Sequence, residues 1–108
     1  MGLTKSEIFT EEQNKIANIA KVLGHPARIA ILDHLIRLQS CVCGDLVKEI
    51  GLAQPTISQH LKELKKVGMI KGTIEGTSVC YCIHDDNWGA IKSILGKFLD
   101  RNATTNCC

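Results

Sequence analysis

Aromatic residues are scarce: one Trp, one Tyr and two Phe in 108 residues. That argues against the rows of stacking rings with which single-strand binders hold bases. Charge of one sign is scarce as well. Thirteen Lys and Arg stand against eleven Asp and Glu, a net of +2. The chain is no polycation, so attraction to an anionic partner has to come from a local patch. No run is long and apolar enough to span a membrane, and the start does not read as a secretory leader. Its first 25 residues carry Lys5, Glu7, Glu11, Glu12, Lys15 and Lys21. A cytoplasmic location is expected. Cys-x-x-Cys is missing, as is a βαβ pattern, which argues against a thioredoxin-like oxidoreductase; no enzyme is expected. Asn102-Ala103-Thr104 matches the glycosylation triplet, but a cytoplasmic chain never meets that enzyme. With no internal repeat and no long linker, the chain reads as one small domain. Its core is modest, and a symmetric dimer would help it.

Six cysteines are present, two of them as Cys41-x-Cys43 and two as Cys80-x-Cys82. In the cytoplasm these are expected to be thiols for metal or redox work rather than structural disulfides. Around them the pattern is mainly helical. Residues 1–9 read as a loose arm. Thr10 followed by Gln13 is a capping-box pattern that opens a helix, with Ile16, Ile19, Ala20 and Leu23 on one face and Gly24 ending it. His25-Pro26 opens a second helix, whose wide apolar stripe is Ile29, Leu32, Leu35 and Ile36. A short helix from about Asp45 to Ile50 should bury Leu46 and Ile50, with Gly51 as its cap. The fourth helix runs from Gln54-Pro55 to Val67 on a buried face of Ile57, Leu61 and Leu64, with Gly68 as its cap. The tight third and fourth helices make a helix-turn-helix.

Ile70–Ile74 and Thr77–Ile83 read as two strands joined at Glu75-Gly76, with Val79, Tyr81 and Ile83 alternating inward. A last helix, about Asn87 to Leu99, carries Trp88, Ile91, Ile94, Leu95 and Phe98. Residues 101–108 form a polar tail ending in Cys107 and Cys108. The fold class is therefore mainly α with a small β-hairpin wing: a winged helix-turn-helix over residues 10–100.

The charge excess is local. Between Gln54 and Thr73 there are four lysines (62, 65, 66, 71) and one glutamate, a net of +3 against +2 for the whole chain. Gln54, Thr56, Ser58, Gln59 and His60 crowd the first half of the fourth helix with short hydrogen-bonding groups, suited to base edges and phosphates in a major groove. Lys62 and Lys65 follow, and Lys71, Thr73 and Thr77 on the wing could reach the flanking backbone. The bland alternative is a solvated face with an ordinary spread of lysine.

"LGHPARIAILDHL", "GDLVKEIGLAQPTISQHLKELKKVGMI" and "GTSVCYCI" resemble the ArsR/SmtB family of winged-helix, metal-sensing repressors over roughly Ile16 to Phe98. The resemblance implies a DNA-binding repressor and a homodimer through the first and last helices. Ile16, Ile19, Leu23, Ile91, Leu95 and Phe98 are the interface it suggests. It also implies release from double-stranded operator DNA by a metal or metalloid. Arsenite comes first, then Sb(III), Zn(II) or Cd(II), with no obligatory cofactor.

Two thiolates in Cys-x-Cys can chelate one soft ion. In the arsenic-sensing branch such a pair opens the third helix, and Cys41 and Cys43 resemble it. Aligned on Gly44-Asp45-Leu46, however, Val42 takes the first ligand position. Cys41 and Cys43 then take places usually held by Leu and Val, which would turn them inward. The alternative is a short strand at Cys41–Cys43 paired with the wing. Cys41, Cys43, Cys80 and Cys82 would then share one outer face, able to hold zinc with four thiolates or arsenite with three. Cys107 and Cys108 could bind arsenite alone or bring a third ligand. The family's zinc site on the last helix lacks a second His beside His84, Asp85 and Asp86. Those two acids suit a helix N-terminus. Oxidation of cross-strand thiol pairs, or their persulfides, is the competing signal. A purely structural zinc is a further alternative.

Overall fold

The computed structural model describes residues 8–44, 46–74 and 79–102. The elements follow in the order α1 (Glu11–Leu23), α2 (Pro26–Leu38), β1 (Val42–Cys43), α3 (Val47–Ile50), α4 (Gln54–Lys66), β2 (Ile70–Thr73), β3 (Cys80–Ile83) and α5 (Asp85–Leu99). The expected turn at Glu75-Gly76, Thr77, Asp45 and residues 1–7 and 103–108 lie outside the described residues.

Local chemistry sets the helix ends. Thr10 Oγ1 accepts from Gln13 N–H and Thr10 N–H donates to Gln13 Oε1, both at 3.0 Å, closing the capping box of α1. At α2, His25 is the N-cap and Nδ1 accepts from Ala27 N–H at 3.1 Å, while Pro26 occupies the first turn. His25 is thus the cap of α2. His84 plays the same part for α5, accepting from Asn87 N–H, so α5 begins at Asp85 and its first turn carries Asp85 and Asp86.

Ile31, Leu32 and Leu35 of α2, Leu46 just before α3, and Ile57, Leu61 and Leu64 of α4, together with Met69, Ile70 and Tyr81, form the centre of the core. This corrects the reading of α2. Ile29 and Ile36 are exposed, at 47% and 42%, and Ile31 takes their place inside. A helix with apolar residues on most of its circumference gives periodicity no way to choose its inner face.

The sheet has three antiparallel strands in the order β1-β3-β2. Val42 faces Tyr81 and Cys43 faces Cys80; on the other edge Lys71 faces Cys82, Gly72 faces Tyr81 and Thr73 faces Cys80. Side chains alternate, so Tyr81 points into the core and Cys80 and Cys82 point out. Gly72, at φ +121°, lies against the β3 backbone, where no Cβ would fit.

Candidate nucleic-acid interface and thiol face

α4, the expected reader helix, follows α3 after a turn through Gly51, whose φ of +84° suits glycine. Ile57, His60, Leu61 and Leu64 point inward. The opposite side exposes Gln54, Pro55, Thr56 and Gln59, with Ser58 half-buried and accepting from Gln54 Nε2 at 3.2 Å. No side chain caps the N-terminus at Ala53. First-turn N–H groups are therefore left for water or an anion. Towards the other end, Lys62, Lys65, Lys66, Thr73 and Ile74 line a cleft of about 430 Å³ between α4 and β2. Lys65 Nζ donates to the Gly72 carbonyl at 2.6 Å, tying helix to wing.

Behind the wing, sulfur takes over. Cys43 and Cys80, 37 residues apart with Cα atoms 4.1 Å apart, are joined as a cross-strand disulfide. One step along the same register, Cys41 lies opposite Cys82; both are free thiols, and they hydrogen-bond to each other. That bond first, and burial second, pushes the Cys82 thiol above its ordinary pKa. The pair sits on the wall of a cavity of about 560 Å³ that also touches Ile36 of α2, Lys71 of β2 and Trp88 of α5. Across the three strands the outward side chains form two rows: Cys41, Cys82 and Lys71 in one, Cys43, Cys80 and Thr73 in the other. The outer-face arrangement therefore holds, and Val42 packs against the core. The inward alternative for Cys41 and Cys43 is excluded.

Residues 25–71 match the bacterial regulatory protein, arsR family. An uncharacterized HTH-type transcriptional regulator of Methanocaldococcus jannaschii is 46% identical over 91 residues, which is 83% of this chain and 97% of that one. The chain belongs to the ArsR/SmtB family of transcriptional regulators. The crystal structure of NolR from Sinorhizobium fredii superposes with a TM-score of 0.62 at 25% identity, covering 91% of this chain and 92% of that one. The cadmium metal-sensor CMTR of Mycobacterium tuberculosis gives 0.54 at 28% identity, covering 86% and 95%. Like these relatives, the ArsR/SmtB chain described here is a regulator rather than an enzyme. Among its described residues no helix is long and apolar enough to cross a membrane.

Of the expected reader residues, Gln54, Thr56, Gln59, Lys62, Lys65, Lys71 and Thr73 are exposed and Ser58 is half-buried. His60 is the correction. It is only 7% exposed and its Nδ1 accepts from Arg28 Nε at 3.1 Å, so it faces α2 and not a groove. Lys66, omitted from the expected set, lines the basic cleft with Lys62 and Lys65. The four cysteines Cys41, Cys43, Cys80 and Cys82 do gather, but as one disulfide and one free pair, against the expectation of thiols throughout. Among the described residues no group of three or more His, Cys, Asp or Glu is placed to hold a metal. The disulfide form does not fit four-thiolate zinc. Cys107 and Cys108 lie outside the described residues. In the suggested dimer face, Ile19 and Ile91 are already buried in the chain's own core; Ile16, Leu23 and Leu95 are half-buried and Phe98 is 44% exposed.

Proposed function

We propose that this regulator is a homodimeric repressor that binds duplex operator DNA through α4 and the wing and is switched by the thiols behind that wing. The observation that carries the reading is the pair of side-chain rows across β1, β3 and β2. They place Lys71 and Thr73, two of the groups offered to the DNA backbone, beside the four sulfurs. Whatever changes the sulfurs acts on a strand bonded directly to the one that meets DNA. Oxidation is the leading signal because Cys43 and Cys80 already face each other as a disulfide. Closing it removes two protons and two electrons, which an oxidant such as a peroxide or a small disulfide accepts. Strapping β1 to β3 fixes the wing against the end of α2 and shifts the reader helices from the spacing of successive major grooves, about 34 Å.

The relative described as a cadmium sensor supports a second reading. In the reduced chain a thiophilic ion, arsenite among them, takes Cys41 and Cys82 with one or both of the remaining sulfurs. One titration separates the two. Fluorescence anisotropy is measured on a labelled duplex from upstream of the protein's own gene, with reduced protein, diamide-oxidised protein, and reduced protein plus arsenite, zinc or cadmium. Loss of binding on oxidation that is absent in Cys43→Ser carries the first reading. Loss only with an ion carries the second, and binding that ignores all of them refutes thiol control.

A further inference from the structure

His60 is polar and yet buried, and it lies on α4, the proposed reader helix. Two contacts hold it, and a further bond anchors its partner Arg28. Arg28 Nε donates to His60 Nδ1 at 3.1 Å. The same guanidinium donates to the Val22 carbonyl near the end of α1 at 3.4 Å. The His25 ring, held by its capping bond to Ala27, stands 4.3 Å from the His60 ring. One side chain of α4 is thereby pinned to the start of α2 and, through Arg28, to the end of α1. Because Nδ1 accepts, the ring must be neutral, with its proton on Nε2. A second proton would occupy the accepting lone pair and place an imidazolium against a guanidinium.

We propose that His60 and Arg28 are positioning residues for DNA binding, and that a proton taken up by His60 unseats the reader helix and weakens the complex. The titratable and charged groups that face His60 are His25, the N-cap of α2, and Arg28 in its first turn, and α1 presents a backbone carbonyl to Arg28. Burial first, then His25 and Arg28, hold its pKa below that of an ordinary histidine, so the neutral brace persists through neutral pH and fails on acidification. The sign is diagnostic. Histidines that meet phosphate tighten DNA binding when they gain a proton, because charge on the protein rises. A histidine that braces the reader from inside does the opposite.

The inference rests on α4 being the reader, and the test keeps the two apart. Affinity for the labelled upstream duplex is followed by anisotropy from pH 8 towards pH 5, at constant ionic strength and with the cysteines reduced. The partner variant is His60→Asn, whose carbonyl oxygen replaces the accepting Nδ1 and does not titrate. Wild type is expected to lose about tenfold or more on acidification, within the usual range of coupling between sites. His60→Asn should show a flat pH profile, whatever its affinity at pH 8. Identical profiles for the two proteins overturn the proposal, as does tighter binding by wild type at low pH. A measurement on wild type alone covers the case in which the variant does not fold. Nitrogen-resolved NMR should show the Nε2–H tautomer of His60 at pH 8, with its titration midpoint matching that of DNA release. A mobile or Nδ1-protonated ring refutes the brace. Absence of DNA binding at pH 8 with that tautomer intact would instead refute α4 as reader.

Discussion

At the scale of single residues, His60 and Gly72 do opposite things with one backbone's worth of space. His60 gives up hydration for a hydrogen bond with Arg28, and its pKa falls below the ordinary 6.5 as a result. Between that lowered value and 6.5 the unfolded chain binds a proton that the folded chain refuses. The His60 contribution to folding stability is therefore constant above about pH 6.5 and falls as the pH drops through it, levelling off below the folded value. Melting temperatures across that window should show the decline in wild type and not in His60→Asn, and equal slopes would exclude His60 as its source. Gly72 contributes by having nothing to bury. At φ +121° it lies under β3, where a Cβ would overlap the Cys80 carbonyl oxygen and stand 2.8 Å from the Tyr81 Cα. Gly72→Ala must either strain the backbone or part the strands, at about 3 kcal/mol or more. A denaturant midpoint unchanged by that substitution would mean the β2–β3 pairing is not as tight as drawn.

The elements differ in how well the sequence announces them. β1 is held to β3 by the Cys43–Cys80 bridge, and a bridge between residues 37 apart removes unfolded-chain entropy worth about 4 kcal/mol. Reduction should lower the melting temperature of wild type and leave Cys43→Ser, measured under either condition, near the reduced value. A wild type indifferent to reductant would show that the bridge adds no stability. β1 is also the element hardest to read in advance. Two residues carry no periodicity, and their facing is set by a partner strand far along the chain. Only the alternation of Val79, Tyr81 and Ile83 hinted at the side on which the sulfurs would fall. The box of Thr10 and Gln13 and the Ile57, Leu61, Leu64 stripe were legible because each depends on neighbours within seven residues. His60 lies on that same stripe, three residues after Ile57 and four before Leu64, so helical spacing alone could have taken it off the reading face. Its polar identity concealed a position that periodicity gave away. The buried Ile31 had no such signal on a helix apolar nearly all round. The lysines of α4 are legible as charge but not as geometry, since the cleft they line needs β2 beside them. Each one that meets a phosphate should, when changed to Ala, flatten the dependence of log affinity on log salt by about 0.9. Lys66→Ala tests the one the sequence reading omitted, and an unchanged slope would leave it outside the interface.

For the molecule as a whole the proposed function asks how one short helix would hold an operator. A single α4 presents few base-reading groups, and the strength of such a complex comes from two readers held at a fixed spacing. The chain's own architecture points to where the second copy would sit. α1 and α5 pack against each other, and Ile19 and Ile91 are buried in the chain's own core. On the same two helices Ile16, Leu23 and Leu95 stay half in solvent, and Phe98 and Leu99 are 44% and 74% exposed at the end of α5. Large apolar side chains grouped at one edge of a small protein are what a partner surface covers. Phe98→Glu would put a charge into that edge and leave the core cluster, to which Phe98 does not belong, in place. Its far-UV spectrum should be native while sedimentation shows a monomer at concentrations where wild type is a dimer. Joining two readers raises apparent affinity by roughly 10²–10⁴ over one, so the monomer should lose affinity for the upstream duplex by a factor in that range. The melting temperature of wild type should rise with protein concentration and that of the variant should not. A Phe98→Glu protein that still sediments as a dimer and binds DNA normally would place the interface elsewhere. The half-buried Ile16, Leu23 and Leu95 would then belong to the fold alone.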